Sequence, residues 1–153
     1  MHISKNFTHR EAIRSKTAQK HGIDNEPSKG VLIEIVHTSI SMQAVRSALG
    51  DRSVRPSSWY RSIELNRKLG SSDNSDHIEG KAVDFTVEGL TNREAFNIIR
   101  NSGIEYKQLI LEFEDRDNGG WLHISFPMIG KHSARQNLIA TAVNGETIYT
   151  EVK

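Results

Sequence analysis

The sequence predicts an α+β domain, a small antiparallel sheet with helices packed around it. Two capping signals open helices, Thr8 with Glu11 and Thr91 with Glu94. AVDFTV (82–87) alternates and is rich in β-branched residues, as a half-buried strand requires. The last four apolar segments fall into pairs joined by short polar turns, which is how antiparallel strands meet.

Taken in order, Thr8 and Glu11 start a helix over 9–20 that Gly22 closes, and the polar IDNEPSKG (23–30) reads as a linker. A second helix is expected over 29–49, with Leu32, Val36, Ile40 and Val45 near one face and Gly50 as its stop. Its β-branched richness leaves a strand over 31–36 as the alternative. Residues 53–58 form a short strand. Ser62 caps a short helix that ends at Gly70, and SSDNSD is a turn-rich loop. After the strand 82–87, the helix opened by Thr91 runs to near Gly103. QLILEFE (108–114) and WLHISF (121–126) pair as a hairpin around DRDNGG. A final hairpin pairs 138–143 with 146–151 around Asn144-Gly145, a strong turn dipeptide. The chain is expected to be one domain over 1–153, with a core over about 7–126 and a C-terminal hairpin over about 137–152.

Composition narrows the chemistry. Among 153 residues there is no cysteine, so disulfides, thiolate zinc, iron–sulfur clusters and cysteine nucleophiles are excluded. Any metal must be held by His, Asp and Glu, and seven histidines are present. A net charge of +1, without a basic stripe, argues against a nucleic-acid partner. The longest apolar stretch, Val31 to Val36, is broken by Glu34, so no membrane span is expected. The N-terminal MHISKNFTHRE lacks an apolar signal core, and a protein not exported by its own signal is the expectation.

Three segments concentrate residues that folding does not require: SDHIEGKAVD (75–84), WLHIS (121–125) and Glu112 within LILEFE. Asp84 sits mid-strand between Val83 and Phe85, where a carboxylate must find a partner because desolvating it alone costs several kcal/mol. Backbone amides or an arginine would serve as well as a metal. His123 taken alone reads more readily as a satisfied core or surface histidine than as a ligand. Alternation puts Trp121, His123 and Ser125 on one face of their strand. If 114 lies opposite 121, Glu112 lies opposite His123 and projects from the same face. Two imidazoles and a carboxylate, with a second carboxylate alongside, match a catalytic zinc site with an open position. The other histidines, His2, His9, His21, His37 and His132, read as surface residues.

S-x-H-x-x-G-x-A-x-D (75–84) followed by W-x-H (121–123) resembles the zinc D-Ala-D-Ala metallopeptidases, which cleave peptidoglycan peptides. SSWYRSIELNRKLGSS, QLILEF and FTHREAIRSKTAQKHGIDNEP are similar to segments of its phage and prophage branch, so the resemblance covers about Phe7 to Phe126. It implies the hedgehog/DD-peptidase fold and a D,D-carboxypeptidase or L-alanyl-D-glutamate endopeptidase. It implies one catalytic zinc ion held by His77, Asp84 and His123, and Glu112 as general base. Arg61 would bind substrate or steady an oxyanion, its alternative being an ion pair with Glu64. Ser75 and Trp121 would contact substrate, or else cap a loop and pack. Several branches place a Glu three residues before the last His, where this chain has Gly120. Glu114, expected on the face of Glu112, is the runner-up base.

The expected partner is a peptidoglycan peptide, with no nucleic acid or membrane, and the expected state is a monomer. A phage or prophage enzyme would stay in the cytoplasm of its bacterium until released, or travel with the virion. A catalytically silent, zinc-stabilised wall-binding or structural module of a phage particle is the competing expectation.

Overall fold

The computed structural model describes Met1–Lys153. Five helices and six strands alternate in blocks: α1 (His9–Ile13), α2 (Lys16–His21), α3 (Lys29–Ala48), β1 (Val54–Ser58), α4 (Ile63–Lys68), β2 (Ala82–Val87), α5 (Asn92–Arg100), β3 (Gln108–Glu112), β4 (Trp121–Ser125), β5 (Gln136–Val143) and β6 (Glu146–Glu151). The strands form one sheet in the order β1-β2-β4-β3-β5-β6. Every neighbouring pair is antiparallel except β3 and β5, which run parallel. The α+β class is therefore as expected, and the parallel pair is the one departure from an antiparallel sheet.

Alternation divides the sheet into two faces. Val83, Phe85, Leu109, Leu111, Leu122 and Ile124 project one way and are buried in the main core. Met42 and Val45 of α3 and Phe96 and Ile99 of α5 belong to the same buried cluster. The other face carries the row Ser58, Asp84, His123, Ile110, Leu138, one residue from each of five adjacent strands. A second row beside it runs Trp121, Glu112, Ala140, Tyr149. The unusual polar residues of the sequence thus lie on the face turned away from the core.

Local chemistry explains most boundaries. Both capping boxes form, with Thr8 accepting from Glu11 N and Thr91 from Glu94 N. The single helix expected over 9–20 is instead two. Ala12 O accepts from Tyr60 N and Ile13 O from Asn25 Nδ2, so α1 spends its terminal carbonyls on distant partners. Ser15 then caps α2 afresh by accepting from Ala18 N, and Gly22 closes it in the left-handed conformation. Asn25, read as part of a linker, is a buried node whose amide also holds Tyr60 O and Ser62 N.

Residues 31–36 are helical, which removes the strand alternative. The buried stripe of α3 is Ile35, Thr38, Ser39, Met42 and Val45, whereas Ile40 is exposed. Apolar residues lie on several sides of this helix, so periodicity pointed to a face rotated from the buried one. Helix α5 stops at Arg100 rather than near Gly103.

The β3–β4 hairpin forms with Glu112 opposite Trp121 and Ile110 opposite His123. The expected pairing is two residues out, and Glu112 is the diagonal neighbour of His123. Phe113 explains it: at φ 52° it leaves the extended conformation, ends β3 two residues early and lengthens the turn. The same kink takes Glu114 out of the alternation that would have placed it beside Glu112.

Gly120 closes that turn at φ 68°, and a Cβ there would stand 1.9 Å from Glu112 O and 2.6 Å from Phe113 O. Neither acceptor can retreat, since both belong to the backbone. No side chain, glutamate included, fits the position. Gly120→Ala is expected to cost about 3 kcal/mol or more, read from the urea midpoint. Gly119→Ala, at φ 76° with no atom nearer than 4.0 Å, is expected to cost about 1 kcal/mol. Equal losses would refute the steric account.

Candidate metal centre

Three segments meet on the open face of the sheet. His77 lies in the loop between α4 and β2, Asp84 in mid-β2 and His123 in mid-β4, directly opposite Asp84. One ligand atom from each lies within 4.8 Å of the other two. His77 Nε2 is 3.3 Å and His123 Nδ1 2.8 Å from the same oxygen, Asp84 Oδ1. Tetrahedral coordination at ordinary zinc bond lengths needs donors roughly 3.3 Å apart, so this set fits a zinc ion. No other histidine joins the cluster.

The loop that delivers His77 is pinned at both ends by Trp59, which is 1% exposed. Its carbonyl takes the His77 ring at 2.6 Å, and its indole N–H donates to Gly80 O at 3.0 Å. A carbonyl only accepts, so the proton sits on Nδ1 and Nε2 offers its lone pair to the centre. Gly80 is at φ 71°, and a Cβ there would come within 2.5 Å of Ile35 Cγ1, so the loop lies hard against α3. Asp76, beside His77, holds Lys107 Nζ at 2.8 and 2.9 Å, which ties the loop to β3.

Asp84 uses both oxygens. While Oδ1 faces the histidines, Oδ2 accepts from Arg61 Nη2 at 3.1 Å. Arg61 Nε donates to Ser58 Oγ at 2.9 Å and Nη1 to Ser71 Oγ at 3.3 Å. Its ion pair is therefore with Asp84 and not with Glu64. Two of its five N–H groups remain for other partners. Ser75 Oγ accepts from His77 N at 3.3 Å and shapes the loop.

Burial opposes ionisation of Asp84, but the histidines on either side outweigh it and hold its carboxyl well below the usual carboxylate range. Desolvation would keep His123 neutral, yet its hydrogen bond to Asp84 and that carboxylate's charge raise its pKa. Glu112 behaves oppositely. Burial first, then the charge of Asp84, pushes its carboxyl up to about 7 against the pull of His123 and Arg61. Two carboxyls that feel one another's charge are thus driven to different states, the pattern of sites that divide ligand and acid–base roles. Trp121 Nε1 makes no hydrogen bond, although it lies close enough to Glu112 to steady its charge. Partial desolvation and the Glu112 charge raise the phenol of Tyr149, an exposed residue that stands beyond buried Ala140 in the same row.

Glu114, the runner-up base, is claimed by Arg93, which forks onto both its oxygens with Nε at 2.9 Å from Oε2. Sequence reasoning overlooked Trp59, Ser58 and Ser71. Trp59 stands beside the Tyr60-Arg61 pair that drew notice, and an aromatic between a serine pair and that motif is its only signal.

Residues 5–125 match the model of a protein family described as Peptidase M15. No curated protein matches the chain.

Proposed function

The chain belongs to the Peptidase M15 family, and on that premise we propose that it hydrolyses peptide bonds in the stem peptides of bacterial peptidoglycan with one catalytic zinc at His77, Asp84 and His123. The observation that carries the proposal is the convergence of two imidazole nitrogens and a carboxylate oxygen beside a second, buried carboxyl. Family membership makes the chain a zinc metallopeptidase with a peptide-containing substrate. D,D-carboxypeptidase and L-alanyl-D-glutamate endopeptidase are the two types in view, in a phage or prophage enzyme of lysis or wall penetration.

Zinc held there supplies Lewis-acid activation of water and of the scissile carbonyl. Glu112 takes the proton of the attacking water and returns it to the leaving amine, a task for which a buried carboxyl with a raised proton affinity is suited. Arg61 holds Asp84 Oδ2 and so keeps Oδ1 turned to the histidines. Its two spare N–H groups are available to a substrate carboxylate or developing oxyanion, for which a permanently charged fork is suited. Trp121 walls the site beside Glu112.

Zinc-loaded protein incubated with purified peptidoglycan is expected to release new amino termini or D-Ala, read by mass spectrometry. A chelator should stop the release and added zinc restore it. The bond cut identifies the type. Peptidoglycan that is bound but never cut would establish the silent zinc-stabilised module instead, and cleavage unchanged in Glu112→Ala would remove Glu112 from its role.

A further inference from the structure

The metal centre lies between two grooves of opposite electrostatic character. Toward β1, at one edge of the sheet, a cavity of about 700 Å³ is lined by Arg14, Lys16, Arg55 and Arg61 and by no acidic side chain. Toward β5 and β6, a second cavity of about 760 Å³ is lined by residues such as Ser71, Ser75, Gln108, Thr147 and Tyr149 over Ile110, and none of its lining residues is charged. Both are of the size that holds a ligand. Leu69 lines both, so they adjoin. Arg61 links them, lining the first and donating to Ser71 of the second. Asp84, paired with Ser58 of β1 and bonded by Arg61, stands where they meet.

Two of the four cations, Arg14 and Lys16, have no acidic partner within the protein. Arg61 is offset by Asp84, and Arg55 meets Glu88 at 3.2 Å in an exposed pair that exchanges readily for another anion. The Arg14 guanidinium donates only to Pro56 O, at 3.4 Å, and Lys16 forms no ion pair. Arg14 and Lys16 lie at the break between α1 and α2, where Arg14 is extended and Ser15 restarts the helix. The broken helix brings its charges to the rim of the catalytic face.

We infer that the groove of Arg14, Lys16 and Arg55 is a carboxylate-binding subsite, so that substrate lies across the strands with its carboxylate-bearing part toward β1 and an uncharged part over β3, β5 and β6. This deepens the peptidase reading and rests on it. Cationic walls beside a low-dielectric site concentrate an anionic ligand and set its direction. A substrate reversed in the groove would place its carboxylate where no cation answers it.

The test uses two synthetic stem peptides that differ only in one carboxylate against its carboxamide. Kd for zinc-loaded full-length protein is read by calorimetry, and KM and kcat are read separately. The triple variant Arg14→Gln, Lys16→Gln, Arg55→Gln is expected to weaken binding of the carboxylate form about tenfold, with kcat nearly unchanged. The carboxamide form should move less than about twofold. Salt raised from about 0.05 M to about 0.5 M should erase the preference of the wild type and leave the variant unaffected. Lys16→Gln alone, at an exposed position, gives a smaller shift in the same direction if the triple variant unfolds. Peptides cut with no preference, or shifted equally by the variant, would overturn the subsite. A carboxylate preference without cleavage would overturn the peptidase reading and leave the subsite standing.

Discussion

Glu112→Gln is expected to lower kcat on stem peptides by about a thousandfold while zinc affinity stays within a fewfold of wild type. Glutamine keeps the shape of the side chain and removes its ability to carry a proton. The same substitution should stabilise the metal-free protein at high pH. Folding lifts the Glu112 carboxyl from 4.5 to about 7, so the folded chain holds that proton more tightly than the unfolded chain. The carboxyl therefore favours folding below about pH 4.5, and the contribution disappears as pH rises through 7. At about pH 8, Glu112→Gln should gain about 2 kcal/mol over wild type in urea melts of metal-free protein. Near about pH 4 the gain should vanish. A variant that loses activity without this pH-dependent gain would show that Glu112 is not held desolvated for catalysis. The trade of stability for a poised base is common in active sites.

Asp84→Asn should have the opposite consequence. Its carboxylate is the common partner of His77, His123 and Arg61, and removing its charge leaves the arginine half-buried and uncompensated. Loss of one member of a buried charge network costs about 3 kcal/mol or more. Partners of metal ligands are worth up to a hundredfold in affinity, so loss of a ligand should exceed about a hundredfold, read by chelator competition. Wild-type protein in zinc at about a thousand times its Kd gains about 4 kcal/mol, or roughly 10 °C in Tm. Asp84→Asn should gain almost none of it. An undiminished zinc shift in the variant would place the metal elsewhere.

Much of the fold was legible because its signals are local. Thr8 with Glu11, Thr91 with Glu94, Ser62 and Asn144-Gly145 act within a few residues of themselves, and each caps or turns the chain as expected. The register of the last hairpin, Leu138 opposite Glu151 and Val143 opposite Glu146, follows from its two-residue turn alone. What failed depended on distant atoms. Helix 9–20 broke because Tyr60 and Asn25 take the carbonyls of Ala12 and Ile13. The Glu112 register slipped because Phe113 adopts a conformation that no neighbouring residue announces.

The candidate site divides in the same way. Spacing and residue type by themselves picked out two histidines, an aspartate and a glutamate, because such residues in strands and tight loops are costly unless something binds them. Alternation put Glu112 on the face of His123 despite the change of register, since a slip of two residues preserves the face. Only the tertiary structure decided that β2 lies against β4, which sets Asp84 across from His123, and that Trp59 reaches over to hold His77. It alone turned Arg61 onto Asp84 and brought Arg14, Lys16 and Arg55 to one groove. The physical reason is range. Caps, turns and alternation are properties of consecutive residues, whereas strand order and charge convergence belong to segments that meet only once the core has closed.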